Sequence, residues 1–274
     1  IKRRFPEGGV VHIEDIQDQV ELAIMRAGYQ DVARSYVLYR EERTKARSQN
    51  VVEDSEDLPI DKSVTLEDGT TEQLDISKLR LIISQSCQNI SDVSADAVYE
   101  AINKNIYDGI KKEDLPSSIL ISVRPLIEKD PNYSYVVARL LLSNIYEEAL
   151  TFLSEPNKAP TLDEISVLYP SYFKSYLVKA CELNLLDKEL LTFDLDYLCK
   201  HISADKDKAF TYLGLQTLYD RYFIHSKEIR FELPQAFFMR VAMGLAINEK
   251  NREERAVEFY DLISSFDFMC STPT

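Results

Sequence analysis

The stretch Val64-Thr65-Leu66-Glu67-Asp68-Gly69-Thr70-Thr71-Glu72-Gln73-Leu74 decides the architecture of this chain. Asp-Gly between two β-prone arms is the strongest short-range hairpin signal, because glycine enters the positive-φ conformation of a tight reversal without steric cost. The chain holds only seven glycines in 274 residues. The long stretches between them show helical periodicity, so a small β lid is predicted on a mainly α protein.

Toward the carboxyl end, apolar residues fall on helix faces at Ile76, Leu79 and Ile83, at Val98, Ala101 and Ile102, and at Ile119, Val123 and Ile127. Pro116 suits a first helical turn, and a further helix is predicted from about Tyr135 to Leu150. Toward the amino end, residues 48–62 are acidic and aperiodic and contain a proline, which reads as a linker. Before them, Ile13, Ile16, Val20 and Ile24 share a face, Gly28 supplies a stop, and Val32, Ala33, Tyr36, Val37 and Arg40 open a second helix. This first block, about 13–47, is predicted to be a helical hairpin.

The two flanks share a pattern. Glu14-Asp15-Ile16 followed by Val32-Ala33-Arg34 recurs as Glu113-Asp114-Leu115 followed by Val137-Ala138-Arg139. Two copies of one helical unit are expected, the first without its amino-terminal half and the second complete with its hairpin. Beyond Pro156 and Pro160, stripes at Phe173, Leu177, Ala180 and Cys181, at Leu195, Leu198, Cys199 and Ile202, and at Phe238, Val241, Ala242 and Leu245 predict a second all-helical domain. Pro234 sits where a helix would open, and 267–274 is poor helix material.

The net charge is −14. That surface would repel a polyphosphate backbone, which disfavours nucleic acid as a ligand. No apolar run is long enough to cross a membrane, and the start, Ile1-Lys2-Arg3-Arg4, leads into no signal core, so a cytoplasmic chain is expected. Cys87, Cys181, Cys199 and Cys270 form no CxxC pair, as for reduced thiols.

Little in the sequence carries chemistry. His12, His201 and His225 include no i, i+4 pair, so no metal site is expected. Cys181 and Cys199 lie on apolar stripes and read as core packing, and Cys270 has no neighbour that would lower its pKa. The carboxylate pairs Glu53/Asp54, Glu56/Asp57 and Glu253/Glu254 lie on charged segments and read as solvated surface rather than as an acid–base couple. Neither a Walker loop nor GxGxxG occurs. Arg40, Arg43, Lys45 and Arg47 at one helix end are open to two readings, as phosphate contacts or as complements of the helix dipole.

Glu14 to Glu21 with Val32 to Arg40 resembles the carboxyl half of an ATP cone, the small nucleotide-sensing domain at the front of ribonucleotide reductases. The second unit, from Val64-Thr65-Leu66-Glu67-Asp68-Gly69 through Tyr107-Asp108-Gly109-Ile110 to Val137-Ala138-Arg139-Leu140-Leu141, looks like another cone. The third block is similar to the helical domain of class I ribonucleoside-diphosphate reductase large subunits, through Phe210, Tyr212, Gly214, Leu218, Arg221-Tyr222, Leu233-Pro234-Gln235, Met239-Arg240, Phe259-Tyr260 and Ser271-Thr272-Pro273-Thr274.

The resemblance implies this layout: 1–47, the carboxyl half of a first cone; 48–62, an acidic linker; 63–155, a second, degenerate cone; 156–266, an all-helical reductase domain; 267–274, the start of a catalytic barrel. It implies a full subunit that reduces ribonucleoside diphosphates to deoxyribonucleotides, with ATP and dATP as effectors. A radical-generating, metal-bearing small subunit, other copies of the large subunit and a thioredoxin-type reductant are its implied partners. It assigns no catalytic residue to this chain, because the first active-site cysteine of the family follows the Pro-Thr at its close, and the chain alone is expected to be inactive. Thr274 matches a threonine that contacts the substrate phosphate. His12, Gln17 and Arg40 of the first cone, and Glu72 and Lys78 of the second, fall at or near positions that meet effector nucleotide. Active cones carry Lys-Arg where this chain has Leu66-Glu67, and can place a lysine where it has Glu147, so the second cone is expected to be degenerate. The rival readings are a stand-alone nucleotide-sensing regulator, which would want a zinc ribbon or a basic DNA-binding face, and a purely structural helical adaptor.

Overall fold

The computed structural model describes residues 62–66, 68–154 and 160–268, together with Arg26 as a single helical position. Apart from Arg26, these fall in one compact unit, Ile60–Thr274. The expected helical hairpin of the first block, the linker before Lys62, Glu67, and the tail with Cys270 and Thr274 lie outside the described residues.

The hairpin forms where it was expected. Strands β1 (Ser63–Thr65) and β2 (Thr71–Gln73) pair antiparallel with Thr65 opposite Thr71. The Gly69 N–H donates to the Leu66 carbonyl at 3.0 Å and the Leu66 N–H to the Thr70 carbonyl at 2.8 Å. Gly69 takes φ +81°, a region closed to most side chains, and Asp68 braces the tip by accepting from the Thr70 N–H and hydroxyl.

Helices α1 (Ile76–Cys87) and α2 (Ala95–Asn105) follow, each opened by a side-chain cap, Asp75 on the Lys78 N–H and Ser94 on the Ala97 N–H. Strand β3 (Ile110–Lys111) then pairs parallel with β1, giving the order β2-β1-β3, so the lid is a three-stranded sheet rather than a bare hairpin. Two residues of β3 are too few to register as a period in the sequence. Helix α3 (Leu115–Val123) has Pro116 in its first turn and runs into a 3-10 segment, Arg124–Glu128.

Helix α4 (Tyr133–Phe152) organises the rest. Its Val136, Val137 and Leu140 enter a core with Val64, Ile83, Val98, Ile102, Ile110 and Val123. Its Ala138, Leu142, Ile145 and Tyr146 enter a second core formed by the following helices. The repeated triplet thereby acquires a physical account: Val137 faces one core and Ala138 the other. The third member, Arg139, is 8% exposed and donates to the Ser86 and Gln88 carbonyls, so its charge meets the carboxyl end of α1.

The helical block comprises α5 (Ile165–Glu182), a 3-10 segment (Lys188–Thr192), α6 (Leu195–Cys199), a second 3-10 segment (Ala204–Ala209), α7 (Tyr212–Arg221), α8 (Pro234–Ala246) and α9 (Arg252–Ser264). Pro234 opens α8 as its position predicts. Helix α6 is shorter than the stripe that suggested it and ends before Ile202. Leu245, grouped with the buried stripe of α8, is exposed. A two-stranded ribbon, β4 (His225–Ser226) with β5 (Ile229–Arg230), interrupts the helices; Lys227 at φ 56° makes its turn without the glycine that would have signalled it.

Candidate nucleotide-lid site and buried carboxylate core

The lid sheet is fixed to its helices by ionic and polar contacts at the base of the hairpin. The Asp108 carboxylate accepts from the Ser63 N–H and hydroxyl, both at 2.7 Å, and these bonds hold its pKa below the usual carboxylate range. The Lys62 ammonium donates to the Asn103 and Ile106 carbonyls and so closes the carboxyl end of α2.

Of the residues carried over as effector contacts, two lie among the described ones. Glu72 is at the centre of β2 and exposed, 2.9 Å from the Lys112 ammonium. Lys78 is exposed in the first turn of α1, where its backbone N–H donates to Asp75. Lys112, just after β3, is the residue sequence reasoning missed. Its pKa is raised first by the hydrogen bond and charge of Glu72, and further by Glu147 on α4. Glu72 thus engages the one lysine that follows β3 at the surface of the lid. His12, Gln17, Arg40 and Thr274 lie outside the described residues.

The residues on either side of Glu147 in α4 point elsewhere. Glu148 accepts from the Tyr219 hydroxyl at 2.7 Å and the Arg230 N–H at 2.8 Å, which ties the β4–β5 ribbon to the helix. Tyr146 enters the helical core and donates to Asp207 at 2.7 Å. Asp207 also accepts from the Tyr169 hydroxyl at 2.7 Å and from Gln235 Nε2 at 2.8 Å, and Gln235 Oε1 accepts from Tyr260 at 2.7 Å. Burial pushes the Asp207 carboxyl up to about 6 in spite of these donors, because desolvation of the anion outweighs them.

A second buried carboxylate, Glu232, accepts from Tyr176, from the Ile224 N–H at 2.8 Å and from Arg240 through Nε at 2.6 Å and Nη2 at 3.2 Å. Tyr172 donates to the Phe231 carbonyl and accepts from the Leu233 N–H. Neither carboxylate drew notice in the sequence, but there was a signal: Tyr169, Tyr172 and Tyr176 share one face of α5. A buried tyrosine stripe requires hydroxyl partners, which must come from elsewhere in the chain.

Three of the four cysteines lie among the described residues, and none of the three has a lowered pKa. Cys181 and Cys199 are buried and Cys87 half-buried, and burial pushes all three thiols up, Cys87 to about 11. Cys199 donates to the Pro170 carbonyl, while the His201 ring lies against Tyr197. Glu253 meets Arg252, and Glu254 meets Asn251, at the exposed start of α9. Among the described residues no group of three or more His, Cys, Asp or Glu could hold a metal ion, and no helix is long and apolar enough to cross a membrane.

Comparison with known proteins matches the cone and the carboxyl-terminal part of the helical block. The ATP cone domain model matches residues 1–45 and 62–148, and the model of the ribonucleotide reductase all-alpha domain matches 208–274. The chain is 37% identical to the ribonucleoside-diphosphate reductase subunit alpha of Chlamydia pneumoniae over 273 residues, 96% of this chain and 25% of that protein. It is 32% identical to the corresponding subunit of Helicobacter pylori over 215 residues, 77% of this chain and 25% of that protein. It is 25% identical to that of Treponema pallidum over 277 residues, 97% of this chain and 29% of that protein. The chain thus spans about a quarter of the length of the first two of these relatives. With cone and all-alpha domains in the order the resemblance implied, it belongs, over that quarter, to the family of ribonucleoside-diphosphate reductase alpha subunits.

Proposed function

We propose that this chain is the nucleotide-sensing and helical part of a ribonucleotide reductase large subunit. The observation that carries the reading is the order of two cone matches and an all-alpha reductase match on a chain that aligns with an alpha subunit over 96% of its length. In this reading the whole subunit reduces ribonucleoside diphosphates in the cytoplasm with a radical-generating small subunit, other large subunits and a thioredoxin-type reductant. This chain supplies regulation: ATP and dATP on the first cone, at His12, Gln17 and Arg40, favour different assemblies, because an effector shifts an equilibrium only through differential affinity. Thr274 contacts the substrate phosphate. No turnover of CDP is expected from the 274-residue chain, with or without a partner subunit.

The second cone is degenerate in this account. Leu66 and Glu67 stand where active cones carry cations, and Lys112 is already engaged by Glu72, so the hairpin lacks the paired cations that would meet a triphosphate. Glu72 and Lys78 are its remaining matches to an effector site. The test is a calorimetric titration of the chain with ATP and with dATP at matched magnesium, repeated on the pair Leu66→Lys and Glu67→Arg. The pair is expected to strengthen triphosphate binding by about tenfold or more, equivalent to one desolvated charge contact. Unchanged affinity would remove the charge argument.

A further inference from the structure

Helix α7 takes its cap from the cone. Thr211, the residue before it, makes no side-chain bond to the helix, whereas the first N–H of α7, on Tyr212, donates to the Ser134 hydroxyl of α4 at 3.1 Å. A helix ordinarily finds such a partner on its own preceding residue, and here a side chain 78 positions earlier supplies it. The Arg124 guanidinium, from the 3-10 segment ahead of α4, lies 5.3 Å from the centre of the Tyr212 ring, within range of the attraction between a cation and an aromatic face. Near the other end of α7, the Tyr219 hydroxyl donates to Glu148 of α4 at 2.7 Å, and Glu148 also accepts from the Arg230 N–H. The Arg230 side chain returns to the Tyr219 carbonyl at 2.6 Å. Helix α7 is thus tied to the last helix of the cone near both of its ends.

Packing continues across the same junction. Leu120 of α3 and the Tyr212 ring lie against both cores, and α4 contributes buried side chains to each. Opening the cone alone would withdraw Ser134 and Arg124 from α7, and would loosen Val136, Val137 and Leu140 on a helix that Leu142, Ile145 and Tyr146 still hold. A domain that moves on its neighbour closes its core with elements of its own, and this cone does not. We infer that the second cone and the helical block form one cooperative unit, in which the cone is a fixed strut and neither swings nor opens by itself. A ligand or partner that stabilises one part stabilises the other equally. The inference rests on the geometry of residues 62–268 and not on nucleotide binding, so its failure is distinct from failure of the calorimetric titration.

The test is hydrogen exchange on the whole 274-residue chain, read by mass spectrometry on peptides from α2 in the cone and α5 in the helical block. Ile102 and Met243 are fully buried, one in each core. Ile102→Ala should lower the protection of α5 by the same factor as that of α2, roughly a hundredfold. Met243→Ala should act in the reverse direction, with α2 losing protection alongside α5. Loss confined to the side that carries the substitution, in either variant, overturns the inference. Should Ile102→Ala fail to fold, Ile102→Val takes its place, with a loss of about fivefold expected on both sides.

Ser134→Ala reads the junction itself. It removes one hydroxyl from the cone and should lower protection in the first turns of α7, across the junction, by about fivefold. Ser143→Ala is the control, because the Ser143 hydroxyl bonds within α4, to the Arg139 carbonyl, and α7 should be unaffected by its loss. Unchanged protection of α7 in Ser134→Ala, or an equal loss in the control, overturns the inference.

Discussion

Around the amino-terminal half of α4, Ile83, Val98, Ile102, Ile110 and Val123 build a core dominated by aliphatic side chains. Around its carboxyl-terminal half, Tyr146, Tyr169, Tyr176 and Tyr260 turn their hydroxyls onto Asp207, Glu232 and Gln235. One helix serves both. An aliphatic core is satisfied by volume and shape, so it tolerates volume-conserving exchange and loses stability in proportion to the space left empty. A closed polar network depends on every member, because a donor or charge stranded in a low-dielectric interior loses its water and gains nothing. The cone core is therefore the forgiving half of this protein, and the tyrosine–carboxylate core is the half that enforces one arrangement of α4, α5, α8 and α9.

The difference can be broken most directly at Glu232. Glu232→Ala strands the Arg240 guanidinium and the Tyr176 hydroxyl and should cost about 3–5 kcal/mol by chemical denaturation. A loss under about 1 kcal/mol would mean that water reaches the pair and that the contrast between cores is overstated. In the cone core, Ile102→Ala should cost about 3 kcal/mol as a simple cavity, while Ile102→Val stays near 1 kcal/mol. A cone that unfolded at Ile102→Val would not be the forgiving half.

The third test uses pH. The Asp207 carboxyl rises from 3.8 to about 6 on folding, so between those values the folded state holds a proton that the unfolded state has released. Stability from this group is complete below pH 4 and lost as pH rises through 6, by about 2–3 kcal/mol. Asp207→Asn should remove this slope, whatever its constant offset, when unfolding midpoints of the two proteins are compared from pH 4 to 7. Parallel curves would show that the Tyr146, Tyr169 and Gln235 donors stabilise the anion enough to cancel its burial. The smallest effect belongs to the lid, where Glu72→Gln removes an exposed ion pair and should change stability by less than about 0.5 kcal/mol. A larger loss would show that Lys112 couples β2 to the segment after β3 more firmly than exposed charges normally do.

By itself the sequence determined the local structure of this protein. The Asp68-Gly69 reversal, the proline that opens α8 and the helical stripes from Ile76 to Leu150 are written in neighbouring residues, because turn chemistry and amphipathic periodicity act within a few positions of the chain. The family was legible for a related reason: its motifs are short, and their order survives where single residues vary. Tertiary structure alone decided the rest. Asp207 and Glu232 look like ordinary surface charges until α5 brings its tyrosines over them, and Lys112 has no distinguishing neighbour in sequence yet meets Glu72 across 40 positions. Leu245, at the spacing of a buried stripe, stays open to solvent because no described element packs over it. Such pairings depend on which distant elements meet, and desolvation, which sets the energy of each contact, exists only once they have met.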